Sequence, residues 1–280
     1  MKYQEILNQG SEILKMNSIK SYKLDSELLL SSTLKIDRLK LVLNLDRIIK
    51  NEEKNFFFKL IERRKKSEPI AYITGYKEFW KYKFRVNKDV LIPRPDTETL
   101  VEEILNSIDT NAKKKILDIG TGSGCILISI LKERKKCQGI GIDISKKAIN
   151  LAKCNAKMQH INNRVKFFKS DIDNFYKDKY DLIVSNPPYI KVFEISILSK
   201  DVKNHEPRIA LNGGIDGCSK IRLVIKKSSL LLKTKGKLFL EIGRNQTKET
   251  LKILKYNGFY NNRVVKDLAN TNRCIVSTKI

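Results

Sequence analysis

A chain of 280 residues with 41% hydrophobic and 31% charged side chains carries enough apolar material for a core, which excludes wholesale disorder. Fifty-six Lys and Arg against 31 Asp and Glu give a net charge of +25, spread evenly enough to exclude a basic arm: residues 1–86 hold 19 basic and 11 acidic side chains, the remainder 37 and 20. The densest apolar run, Ile126 to Leu131, is far below the ~18 residues of a membrane span, and Glu5 and Glu12 interrupt the N-terminus where a secretory leader needs apolar residues. The chain therefore reads as a soluble, cytoplasmic protein. Its length suits about two domains at ~150 residues each.

The first 70 or so residues read as helical throughout. Ile6, Leu7, Ile13 and Leu14 repeat at helical spacing, Asp25 or Ser26 is placed to cap a run from Glu27 to Leu34, and Phe56, Phe57, Leu60 and Ile61 mark a third helix ending before Pro69. From Tyr76 the pattern changes. Phe79, Trp80, Tyr82, Phe84 and Val86 suggest a hairpin between domains, at about residues 76–90. Pro93 and Pro95 forbid helix until Asp96 or Thr97, either of which could cap the helix through Leu100 and Ile104.

Beyond Lys115 short apolar runs alternate with amphipathic ones. Strands are expected at 116–119, 139–142, 165–168, 182–185 and 237–242, with two more near the C-terminus. Helices are expected at 125–134, 146–158, 221–232 and 247–256. That alternation gives an α/β open sheet with ligands at the carboxyl ends of its strands.

Two loops carry the chemistry. Gly120-Thr121-Gly122-Ser123-Gly124 follows the strand ending Asp118-Ile119, where glycines permit a tight turn and close approach of backbone N–H groups to a ligand. The next strand ends at Asp143, a carboxylate able to accept ribose hydroxyls, or alternatively to cap the following helix. The spacing alone does not separate NAD from S-adenosylmethionine. The glycine pattern is not the G-x-G-x-x-G of pyrophosphate sites, and Asp118 would repel a pyrophosphate while suiting an ammonium, so S-adenosylmethionine is favoured. Cys125, in the same loop, could be accessible.

The second loop is Ser185-Asn186-Pro187-Pro188-Tyr189. Two prolines stiffen it. The Asn186 amide oxygen and the Pro187 carbonyl can each accept one N–H of a planar amino group, with the Tyr189 ring stacked on its plane. Such a site directs an amide or nucleobase nitrogen at an electrophilic methyl. Five cysteines without a CxxC pair, and two histidines, provide no zinc-ligand spacing, so no metal is expected.

These features resemble the PrmC/HemK family of protein-(glutamine-N5) methyltransferases. The helical N-terminal region, Pro93-Arg94-Pro95-Asp96-Thr97-Glu98, the glycine loop, Asp143, Asn186 to Tyr189, Glu206-Pro207 and Asn272-Arg273 carry the similarity along nearly the whole chain. The resemblance implies a class I S-adenosylmethionine-dependent methyltransferase with a Rossmann-like sheet in residues 91–280 and a small all-helical release-factor-docking domain in residues 1–75. It implies a monomer whose substrate is the glutamine in the Gly-Gly-Gln loop of class 1 peptide chain release factors.

By the same resemblance the cofactor lies against Gly120, Thr121, Gly122, Ser123, Gly124, Asp143, Ile172 and Asn186. The glutamine enters a pocket of Asn186, Pro187, Pro188 and Tyr189, of which Asn186, Pro187 and Tyr189 are catalytic. Arg94 and Glu98 organise the mouth or pair with each other. A rival reading on the same tetrad is methylation of adenine N6 or guanine N2 in nucleic acid, but the ~90 residues after Tyr189 leave little room for a base-reading domain.

Overall fold

The computed structural model describes residues 1–280. The chain divides into two units, one of Met1–Tyr76 with Ser199–His205, the other of Lys77–Leu198 with Glu206–Ile280.

The first unit is helical: α1 (Tyr3–Met16), α2 (Tyr22–Leu34), α3 (Arg38–Val42), α4 (Asn51–Lys65) and α5 (Ile70–Thr74). Ile6, Leu14, Leu29, Leu30, Phe57 and Ile61 meet in its core. Asp25 lies inside α2 and is buried, so it does not start a helix as expected from its type. Its carboxylate instead accepts from Arg64 Nε at 2.7 Å and from Ser21 Oγ at 2.8 Å. Arg64 Nη1 also reaches Asp201 at 3.0 Å, which ties the 199–205 segment into this unit. Nothing in the local sequence of that segment announces a place among the helices.

The second unit begins with the hairpin β1 (Tyr76–Phe79) and β2 (Tyr82–Arg85), then α6 (Glu98–Asn106), β3 (Lys115–Ile119), α7 (Cys125–Glu133), β4 (Gln138–Asp143), α8 (Lys146–Met158), β5 (Val165–Lys169) and β6 (Tyr180–Ser185). After the short α9 (Lys200–His205) of the first unit come α10 (Ser219–Leu231), β7 (Leu232–Glu241), α11 (Thr247–Tyr256), β8 (Phe259–Lys266) and β9 (Asn272–Lys279). All but the first residue of the hairpin belong to this unit. Trp80 Nε1 and Tyr82 OH donate to Glu133 at 3.2 and 3.0 Å, and Arg85 exchanges two hydrogen bonds with the Asn155 side chain.

The sheet runs β5-β4-β3-β6-β7-β9-β8, with the five strands from β5 to β7 parallel and β9 antiparallel to both its neighbours. The two-residue period of the strands sorts their side chains between two cores. Ile116, Leu182, Val184 and Phe239 pack with Ile104, Leu127 and Ile149 on α6 to α8. Leu117, Ile119, Ile183, Leu238 and Leu240 point to the other face, against Ile221 and Ile225 of α10 and Leu254 of α11. With both faces covered, the central strands are largely apolar, as a buried parallel sheet requires. No helix is long and apolar enough to cross a membrane.

Candidate active site

The carboxyl ends of β3, β4 and β6 open onto one cleft of about 210 Å³. Gly120, Thr121, Gly122, Ser123, Asp143 and Ile172 line it, together with Asn186, Pro187 and Pro188. Two expected residues do not. Gly124 starts α7, and a Cβ there would meet Ile128 Cδ1 at 2.9 Å, so it serves packing. Tyr189 lies off the lining, with its hydroxyl donating to Glu241 Oε1 at 3.2 Å.

The glycine loop is held from below. Gly120 and Thr121 donate their N–H groups to the Ile142 carbonyl at 2.9 Å, and Gly122 N–H donates to Asp143 Oδ2 at 2.9 Å. Gly120 and Gly122 take φ of +76° and +54°, and a Cβ on either would point into open space. Both glycines therefore answer to backbone conformation and leave the floor of the cleft clear for a ligand.

Asp143 is no helix cap: Ser145 Oγ accepts from Ala148 N–H at 3.2 Å and caps α8 itself. Asp143 Oδ1 accepts from Ser145 N–H at 2.9 Å, so each carboxylate oxygen holds one backbone N–H and keeps acceptor capacity for a ligand hydroxyl. Burial raises its pKa, with the two N–H groups acting in the opposite direction.

Asp118 is fully buried and does not line the cleft, which corrects the expectation of a carboxylate facing a ligand ammonium. Burial pushes its pKa up to about 7. Its Oδ2 accepts from Thr121 Oγ1 at 2.7 Å, so its visible work is to hold the loop. Cys125 lines the cleft but is only 8% exposed, and burial pushes its thiol up to about 12.

Thr97 does not cap α6 with its side chain. It is buried beside the cleft, and its Oγ1 accepts from Asn186 Nδ2 at 3.2 Å. The Asn186 amide is thereby oriented with its oxygen available as an acceptor. Arg94 and Glu98 do not pair. Arg94 Nη2 reaches the buried Glu206 at 2.5 Å, while Glu98 accepts from Trp80 N–H at 2.8 Å. Arg94 nonetheless lines the cleft.

Thr97, Glu206, Glu241 and Arg273 are the polar residues around the site to which local sequence reading assigned no such contacts. A carboxylate closing the apolar run Leu238-Phe239-Leu240-Glu241 was the available signal, since Asp143 ends its strand in the same way. No group of three His, Cys, Asp or Glu side chains is placed to hold a metal ion.

A doubly wound sheet with an acidic strand tip beside a glycine loop, and an Asn-Pro-Pro-Tyr tetrad on the adjoining strand, defines a methyltransferase. Residues 5–75 match the PrmC N-terminal domain and residues 95–203 the methyltransferase small domain. The release factor glutamine methyltransferase of Clostridium acetobutylicum is 40% identical over 282 residues, spanning 100% of this chain and 99% of its own. That of Clostridium botulinum is 42% identical, spanning 100% of both chains. The chain belongs to the release factor glutamine methyltransferase family.

Proposed function

We propose that this protein methylates the side-chain amide nitrogen of the glutamine in the Gly-Gly-Gln loop of class 1 peptide chain release factors, using S-adenosylmethionine in the cytoplasm. The observation that carries the reading is that Asn186 and Asp143, at the carboxyl ends of different strands, line one cleft. The residues fit the cofactor: open space above Gly120 and Gly122, and a carboxylate with unused acceptor capacity at the strand tip.

When bound, S-adenosylmethionine supplies an electrophilic methyl group on a sulfonium. Asp143 would accept from the ribose hydroxyls, and Ile172 would pack against the adenine. Asn186 Oδ1 and the Pro187 carbonyl would accept the two N–H groups of the substrate amide. An amide nitrogen is a weak nucleophile because its lone pair is delocalised, and two acceptors on its hydrogens favour positive charge developing there. Holding both hydrogens also fixes the direction in which the nitrogen presents its lone pair. One amide proton leaves to water after transfer, so the residues need supply no strong base. Tyr189, set behind the cleft lining, would support the tetrad from its place on Glu241.

The test is transfer of labelled methyl to an unmodified release factor, beside a variant whose Gly-Gly-Gln glutamine is alanine. Label on the first and none on the second is expected. Label in RNA or DNA but not in the release factor would replace this reading with nucleobase methylation.

A further inference from the structure

Glu241 is the last residue of β7 and is 1% exposed. The parallel register pairs Ser185 with Leu240, so the tetrad leaves β6 level with Glu241. Glu241 Oε1 accepts from Tyr189 OH at 3.2 Å, while Oε2 has no hydrogen-bond partner. On the other side β9 pairs Cys274 with Glu241. Its neighbour Arg273 binds Asp267 at 3.0 Å and Asp96 at 3.3 Å.

A buried carboxyl with one oxygen unmatched is a poor packing element, because its desolvation is only partly offset. An apolar side chain would fill the same volume without that cost. What Glu241 does provide is the acceptor for the Tyr189 hydroxyl.

We propose that Glu241 is a positioning residue for methyl transfer, holding Tyr189 through its hydroxyl. The inference rests on the function proposed above. Burial pushes the Glu241 carboxyl up to about 7, with Thr97, Arg273 and Tyr189 favouring the ionised form and Asp96 opposing it. The charged and titratable groups facing it are therefore Tyr189, Arg273 and Asp96, with Cys274 at its own register position.

Two measurements on the full-length protein test this. In kinetics, Glu241→Gln is expected to lower kcat about 10-fold while KM for the release factor changes less than about 2-fold. Tyr189→Phe removes outright the hydrogen bond that Gln, a neutral acceptor, only weakens, so the double variant should lose no more than the worse single one. Turnover of Glu241→Gln within about 2-fold of wild type, or fully additive losses, overturns the proposal. If Glu241→Gln does not fold, Tyr189→Phe alone removes the same hydrogen bond and should lower kcat about 5-fold; no effect there overturns the proposal.

The second measurement needs neither cofactor nor substrate. In protein labelled with carbon-13 at the tyrosine Cζ, the Tyr189 signal is identified by its loss in Tyr189→Phe. It should move with pH with a midpoint near that of Glu241, and stay still in Glu241→Gln. A Tyr189 signal indifferent to Glu241 overturns the proposal. Failure of the functional reading would show separately, as wild-type protein that transfers no label to the release factor.

Discussion

Asn186 and Thr97, 89 positions apart, meet through a hydrogen bond of 3.2 Å from the Asn186 amide nitrogen to the Thr97 hydroxyl oxygen. That contact decides which way the Asn186 amide faces: its nitrogen is engaged, and its oxygen remains for a substrate N–H. A residue on the Pro-Arg-Pro segment thus sets the geometry of a residue on the tetrad.

Replacing Asn186 with Ala removes an oriented acceptor and should cut turnover at least ~100-fold, by analogy with loss of one preorganised polar group. The cofactor dissociation constant, measured by calorimetry, should change little, because the glycine loop and Asp143 remain intact. Unchanged turnover would remove Asn186 from the reaction.

Asp143→Ala should act first on cofactor binding. The substitution deletes both the proposed ribose acceptor and the anchor of Gly122 N–H, so the dissociation constant should rise at least about 10-fold, the equivalent of one charge-assisted hydrogen bond. A normal dissociation constant would take Asp143 out of the ribose site.

Asp118 predicts a pH effect of definite sign. Its pKa rises from 3.8 to about 7 on folding, so between those values the folded protein retains a proton that the unfolded chain has lost. The group's stabilising contribution is full below the unfolded pKa and is lost as pH rises through about 7. Asp118→Asn, which keeps an acceptor for Thr121, should therefore gain in melting temperature relative to wild type at about pH 8 and not at about pH 4. An offset independent of pH would contradict the assignment.

Arg64 should be among the most sensitive residues of the helical unit. It and Asp25 are almost wholly buried, with side chains 7% and 6% exposed. Arg64→Ala leaves Asp25 with Ser21 alone and should destabilise the unit by about 3–5 kcal/mol in denaturant unfolding. A loss below about 1 kcal/mol, the range of surface pairs, would show that the pair is not desolvated in solution.

The order of strands and helices was legible because two local signals agree: apolar runs of strand length, and helical periodicity between them. The predicted helix at 146–158 and that at 247–256 match α8 and α11 to the residue. The two loops were legible because glycine at positive φ and consecutive prolines constrain backbone locally. Helix starts were less so. Asp25 and Thr97 are residue types that often cap helices, yet each makes its principal contact with a side chain far along the chain.

Local chemistry, then, was enough to give the α/β class and to single out the glycine loop, Asp143 and the tetrad, since each depends on neighbours within a few residues. The tertiary structure alone decided that Asp118 turns inward, that Arg94 pairs with Glu206 and not Glu98, and that Tyr189 rests on Glu241. These depend on strand register and on burial. A polar side chain removed from water must find its partner wherever the packed sheet brings one, and no spacing along the chain encodes that distance.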